Sequence, residues 1–200
     1  DRWLKLYLQT LKNTFADCVW FVGLQGSYLR EEATEGSDID IMVVIDGFSS
    51  ADMELYRVVI KSLENPEKSC GFICGTEELQ HWNALEICHL LHTTQDYWGT
   101  LKDLVPEYTD RDVLSFVKMS LGNLYHEIGH RRIHASMEQN IAALPNAYKS
   151  VFFILQNLHY LRCGRFFPRK TELLSALSGR DRRVLETAMA LQNGTSLPFE

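Results

Sequence analysis

Asp38 and Asp40, in the run "SDIDIMVVID", are spaced so that they can act on the same object. In an extended strand alternate side chains share a face, so both carboxylates project one way while Ile39 and Ile41 enter an apolar layer behind them. Two like charges held side by side are costly unless a cation lies between them. Hard oxygen ligands of this kind suit Mg2+, which takes one or two protein carboxylates and completes its shell with phosphate oxygens and water. Upstream, Gly26 and Ser27 follow the β-rich run "CVWFVGLQ" and can open a helix, where backbone N–H groups and a hydroxyl hold a phosphate. An Asp-x-Asp pair or a Gly-Ser turn is commonplace alone. Together they suggest a metal ion and a triphosphate.

A second motif competes with the first. His126-Glu127-Ile128-Gly129-His130 fits the HExxH pattern, two zinc ligands and a general base on one helix. A catalytic zinc needs a third protein ligand. The extended form of the motif would place Gly at 133 and His at 136, where this chain has Ile133 and Ser136. The next acids are Glu138, close along the chain, and Glu172, a long reach away. His126, His130 and His134 lie four apart and opposite a Leu121/Leu124/Ile128 stripe, which makes them the polar side of an amphipathic helix. A zinc metallopeptidase is thus the remote alternative; if that polar face borders a cleft, His126 and His130 would line an acceptor pocket.

Gly26-Ser27, then Arg30, then Ser37-Asp38-x-Asp40 running into an aliphatic strand resembles the signature of the polymerase-β-like nucleotidyltransferase superfamily, particularly its minimal and aminoglycoside-modifying members. The resemblance is specific over about residues 20 to 45. One departure is that Arg30 is followed by Glu31, where the family often has Gly. The resemblance implies that Gly26, Ser27, Arg30 and Ser37 bind nucleotide and that Asp38 and Asp40 hold Mg2+, with a second ion about 3.5–4 Å away. It implies a third carboxylate on a neighbouring strand, assigned to Glu86 in "NALEICHLLH" as metal ligand or general base, with Glu77 and Glu78 as fallbacks. The expected reaction is transfer of a nucleoside monophosphate, AMP first, from an NTP such as ATP to a hydroxyl of a small molecule. The alternative is an antitoxin-type minimal nucleotidyltransferase that acts on or binds a protein partner.

The elements that must position these residues follow from patterning. Trp3, Leu4, Tyr7, Leu8, Leu11 and Phe15 recur at helical spacing; strands are expected at "CVWFVGLQG" and "DIDIMVVID", and a helix from Ser50 to about Leu63. "ALEICHLLH", 84–92, is expected as a further strand. Beyond Pro106 glycine and β-branched residues thin out, which sets a nucleotidyltransferase domain at 1–107 and a helical substrate-binding or lid domain at 108–200. In the first long helix Leu114, Val117, Leu121, Leu124 and Ile128 alternate at spacings of three and four, a stripe suited to a bundle. A second helix is expected over 147–162 and shorter ones near 171–177 and 180–191. Lys149, at the start of that second helix, opposes the helix dipole and is the first choice for a cation toward the triphosphate, ahead of Arg30 and Lys170. His159 and Tyr160 read as packing residues. The fold implied is α+β: a short mixed sheet flanked by helices, followed by a helical bundle.

Composition bounds the rest. Two hundred residues, 46% hydrophobic and 23% charged, can bury a real core in one or two domains. A net charge of −6 argues against duplex DNA or an anionic membrane as partner. No apolar run reaches the roughly eighteen residues of a membrane span, and the cytoplasm is the expected compartment. The five cysteines are odd in number and mostly sit in apolar runs, the habit of reduced thiols; "CGFIC" has no second pair to complete a zinc site.

Overall fold

The computed structural model of the chain describes residues 2–192, and the chain divides into two compact units, residues 1–107 and 108–200. The first unit runs α1 (Arg2–Phe15), β1 (Val19–Leu24), α2 (Gly26–Leu29), β2 (Ile39–Ile45), α3 (Ser50–Lys61), β3 (Ser69–Gly75), α4 (Thr76–Gln80), α5 (Ala84–His92) and β4 (Gln95–Trp98). Its four strands form one mixed sheet in the order β3-β2-β1-β4. β1 is antiparallel to β2 and β4, whereas β2 and β3 are parallel.

β2 decides both faces. Ile39, Ile41, Val43 and Ile45 point into a core shared with Leu4, Tyr7, Leu11 and Phe15 of α1 and Val59 of α3. Met42 and Val44 face the other way, with Phe21, Cys74, Leu79 and Leu101. By the two-residue period of a strand Asp40 belongs to this second face, and Asp38 stands just ahead of the first strand residue. α3 starts on a reciprocal cap: the Asp52 carboxylate accepts from the Ser49 backbone N–H at 2.8 Å, and Ser49 Oγ accepts from the Asp52 N–H at 3.4 Å.

The run 84–92 is a helix, which corrects the strand expected there. A nine-residue apolar run is ambiguous by periodicity alone, and here a cap resolves it. Asn83 Oδ1 accepts from the Leu85 N–H at 3.2 Å, and Ile87, Cys88 and Leu91 then share one inward helical face. The remaining strands are β3 and β4, neither of which the sequence marks clearly. β3 is "SCGFICG", and its Gly71 (φ +136°) lies so close to β2 that a Cβ there would sit 2.0 Å from the Ile41 carbonyl oxygen. β4 is four residues that exist as a strand by pairing with β1.

The second unit contains α6 (Asp110–His134), α7 (Met137–Cys163), α8 (Lys170–Ala176) and α9 (Gly179–Gln192). Its core gathers Phe152 and Leu155 of α7 with Leu173 of α8, Leu177, and Leu185 and Ala188 of α9. α7 begins ten residues before the expected start at 147. The signal is Ser136-x-x-Gln139: Ser136 Oγ accepts from the Gln139 N–H at 3.2 Å and Gln139 Oε1 accepts from the Ser136 N–H at 2.9 Å, and Pro145 lies inside the helix that this box begins. The stripe expected to be buried on α6 is only partly so. Val117 is inside, but Leu114, Leu121 and Ile128 are 41%, 47% and 51% exposed. Among the described residues no helix is long and apolar enough to cross a membrane.

Tyr7 is fully buried and its hydroxyl lies 2.5 Å from that of Tyr56, joining α1 to α3. Burial, with Tyr56 beside it, raises the Tyr7 phenol well above its ordinary pKa. Tyr56→Phe strands the Tyr7 hydroxyl in the core and should cost about 1–3 kcal/mol. Urea unfolding would show it as a lower midpoint at unchanged slope, and an unmoved midpoint would refute it.

Candidate active site

The site grows from the end of β1. The Gln25 backbone N–H donates to the Asp40 carbonyl at 2.8 Å, extending the β1–β2 ladder by one bond. The Gln25 side chain donates across to Thr94 Oγ1 at 2.7 Å, just before β4. With both ends held, the chain turns at Gly26 with φ +68° and enters the single helical turn of α2. A Cβ on Gly26 would lie 1.8 Å from Asp40 Oδ2, so the Asp40 carboxylate rests directly against the backbone of the Gly-Ser turn. The two motifs singled out in the sequence therefore touch.

Asp38 is exposed and Asp40 half-buried. Among the described residues neither carboxylate has a hydrogen-bond or ion-pair partner. Two acceptor-only side chains at the start of a strand, one of them, Asp40, against the Gly26 turn, suit a hard divalent cation and phosphate oxygens. Ser37 closes the loop ahead of them: its Oγ accepts from the Thr34 N–H at 2.8 Å, and Lys68 Nζ donates to the Glu35 carbonyl at 2.9 Å. Arg30 leaves α2 and pairs with Glu32 at 3.1 Å.

α5 backs this loop. Burial, then the Arg30 guanidinium and then His92, push the His89 imidazole down to about 4, and burial lowers His92 as well. His89 and Thr94 are neighbours of Arg30 and Gln25 that the sequence reading missed, since both depend on α5 being a helix that ends beside β1.

Glu86 does not stand on a strand. It is in the first turn of α5, exposed, and its Oε2 accepts from Trp82 Nε1 at 2.7 Å. The strand argument for a third carboxylate therefore lapses; among the described residues no group of three or more His, Cys, Asp or Glu is arranged to hold a metal. On the adjacent parallel strand the residue in register with Asp40 is Cys70. Glu77 and Glu78 follow the far end of β3, beyond the Gly75–Ile45 pair, about 16 Å along the strand from Asp40. Lys149 is exposed and well inside α7, not in its first turn, so the dipole argument for it fails. Lys170 begins α8 with its Nζ 5.5 Å from the Phe152 ring centroid.

His126, His130 and His134 run along α6 with successive ring centroids 6.1 and 4.6 Å apart, and no third ligand joins His126 and His130 among the described residues. The zinc-peptidase reading is without its metal site there. His159 and Tyr160 pack, against Phe167 and Phe166.

Residues 4–87 match the nucleotidyltransferase domain family. The spectinomycin adenyltransferase AAD(9) from Enterococcus faecialis, solved with ATP and spectinomycin, superposes with a TM-score of 0.58 at 13% identity, covering 98% of this chain and 91% of that one. A toxin-antitoxin structure with AMP-PNP has 20% identity over 64% of this chain and 91% of that one, but its TM-score of 0.37 is too low to bear on the fold. Curated protein sequences give no significant match. The N-terminal unit is a nucleotidyltransferase domain. The chain thus carries a nucleotidyltransferase domain at its N-terminal end, followed by a helical region, and its fold is the α+β arrangement of a mixed sheet followed by helices.

Two outcomes follow from the geometry. Gly26→Ala meets both a positive φ and the Asp40 carboxylate, so nucleotidyl transfer should fall at least about a hundredfold, as expected when reacting groups move by about 1 Å, while circular dichroism stays that of the folded chain. Wild-type activity in this variant would show that the turn tolerates the shift. For His89, the ordinary pKa of 6.5 falls to about 4 on folding, so the unfolded chain binds the proton first. The stability it contributes is complete above pH 6.5 and is lost as pH falls through about 4. Denaturation midpoints measured across this window should fall less steeply in His89→Gln than in the wild type.

Proposed function

We propose that the chain transfers a nucleoside monophosphate, AMP in the first instance, from an NTP to a hydroxyl of a small-molecule acceptor. The contact between Gly26 and the Asp40 carboxylate is the observation that carries this reading, because it sets a phosphate-cradling turn and a pair of cation-seeking carboxylates side by side. Asp38 and Asp40 would hold Mg2+. When bound, the ion supplies charge neutralisation on the triphosphate and its leaving group. The chain's own residues do the rest. The α2 turn offers backbone N–H groups and the Ser27 hydroxyl to the outer phosphates. Gln25, fixed at both ends, keeps that turn against Asp40. Arg30, paired with Glu32, adds positive charge just after the α2 turn. Ser37 acts by holding the loop that presents Asp38. Glu86, engaged by Trp82, is not needed for the metal pair in this reading. The AAD(9) neighbour, crystallised with ATP and spectinomycin, supports ATP as donor and a small hydroxylated acceptor.

Calorimetric titration with ATP, with and without Mg2+, tests the site. Asp38→Asn and Asp40→Asn should each remove the metal-dependent part of ATP binding and reduce transfer to background, with thermal unfolding little changed. Metal-dependent binding that survives both substitutions would place the site elsewhere.

A further inference from the structure

The sheet sets four side chains in a row at the level of Asp40. Across β2 and β3, Asp40 is in register with Cys70. In the other direction the antiparallel pairs Leu24–Ile41 and Leu24–Gln95 bring Gln25 opposite Asp40 and Thr94 opposite Gln25. Paired residues share a face and neighbouring strands lie about 4.8 Å apart, so the row reads Cys70, Asp40, Gln25, Thr94. It contains one acid. The next row on the same face is Phe72, Met42, Gly23 and Asp96, whose acid is two strands from β2, about 10 Å across the sheet. On the other side Lys68 precedes β3 as Asp38 precedes β2, and its Nζ donates to the Glu35 carbonyl at 2.9 Å.

A second divalent ion, about 3.5–4 Å from a first, needs hard oxygen ligands of its own. Within the sheet, the places from which a side chain can reach an ion beside Asp40 are those of Gln25 and Cys70. The Gln25 amide is turned along the row: its Nε2 donates to Thr94 Oγ1 at 2.7 Å and lies 3.9 Å from Met42 Sδ. Cys70 is exposed, and soft sulfur is a poor ligand for Mg2+. Of the acids outside the sheet, Glu32 pairs with Arg30 at 3.1 Å and Glu86 accepts from Trp82 at 2.7 Å.

We propose that this site takes a single divalent ion, held by Asp38 and Asp40, and that Cys70 occupies the position from which a ligand to a second ion would come. The proposal rests on the nucleotidyl-transfer reading and narrows it. The ion serves the triphosphate, and the strand beside Asp40 presents a thiol, not a carboxylate, to the other side of the site. Two carboxylates balance the charge of one divalent ion; an acid at position 70 would supply both the charge and the oxygen that a second requires.

Mn2+ prefers the same oxygen ligands as Mg2+ and is paramagnetic, so electron paramagnetic resonance counts the ions bound by the full chain in complex with α,β-methylene ATP, which resists transfer. Wild type and Cys70→Ser should each bind one ion per chain. Cys70→Asp, or Cys70→Glu with its longer reach, should bind two; the position is exposed, and unchanged circular dichroism would show that the fold is kept. Two ions in the wild type overturn the proposal, as does a count of one in both acidic variants. No nucleotide-dependent ion in the wild type would overturn the nucleotidyl-transfer reading itself, and this proposal with it.

Discussion

The absence of a side chain at Gly26 is the constraint on which the rest of the first unit depends. The Asp40 carboxylate occupies the space where a Cβ would be, so the turn after β1 and the start of β2 cannot be set independently. Everything around the pair serves that closeness. Gln25 bonds to the Asp40 backbone and to Thr94; Ser37 and Lys68 fix the loop that leads into Asp38; α1 and α3 pack the opposite face of β2 so that its outward residues do not rotate. A site made of two acids and a glycine turn has few atoms of its own, and its precision is borrowed from the sheet.

Much of this was legible in the sequence because it is local. The Gly-Ser turn, the Asp-x-Asp pair and the strand that follows occupy about twenty residues, and their chemistry depends on spacing that the backbone preserves. α1, α3 and the two central strands were equally readable, since each shows one clean period. What stayed hidden depends on partners distant in the chain. β4 is a strand through its pairing with β1, some seventy residues earlier, and β3 reads as a strand once Gly71 is seen pressed against Ile41. Glu86 was misplaced for a related reason: nine apolar residues fit a strand or a helix, and the Asn83 cap that decides between them is a single hydrogen bond. Lys149 failed on a boundary. The helix starts at the Ser136 cap, and Pro145 misleads because proline more often begins a helix than lies within one.

The second unit shows the limit of pattern reading in another way. The heptad stripe on α6 is real, and the inference that it would be covered within the chain was reasonable. Periodicity identifies a surface that seeks a neighbour, but it does not say on which molecule that neighbour lies.

The extent of the family match carries a last consequence. It ends at residue 87, and a fragment cut there would contain the glycine turn and both aspartates. It would lack Thr94 and β4, which anchor Gln25 and finish the sheet beside β1. Bringing residues 94–98 back to β1 closes a loop of about seventy residues, an entropic cost that local structure does not offset. Such a fragment would hold all the letters of the signature on a frayed sheet edge. The Gly26 turn is thus a property of the closed unit, held in place by the most distant strand once it has docked.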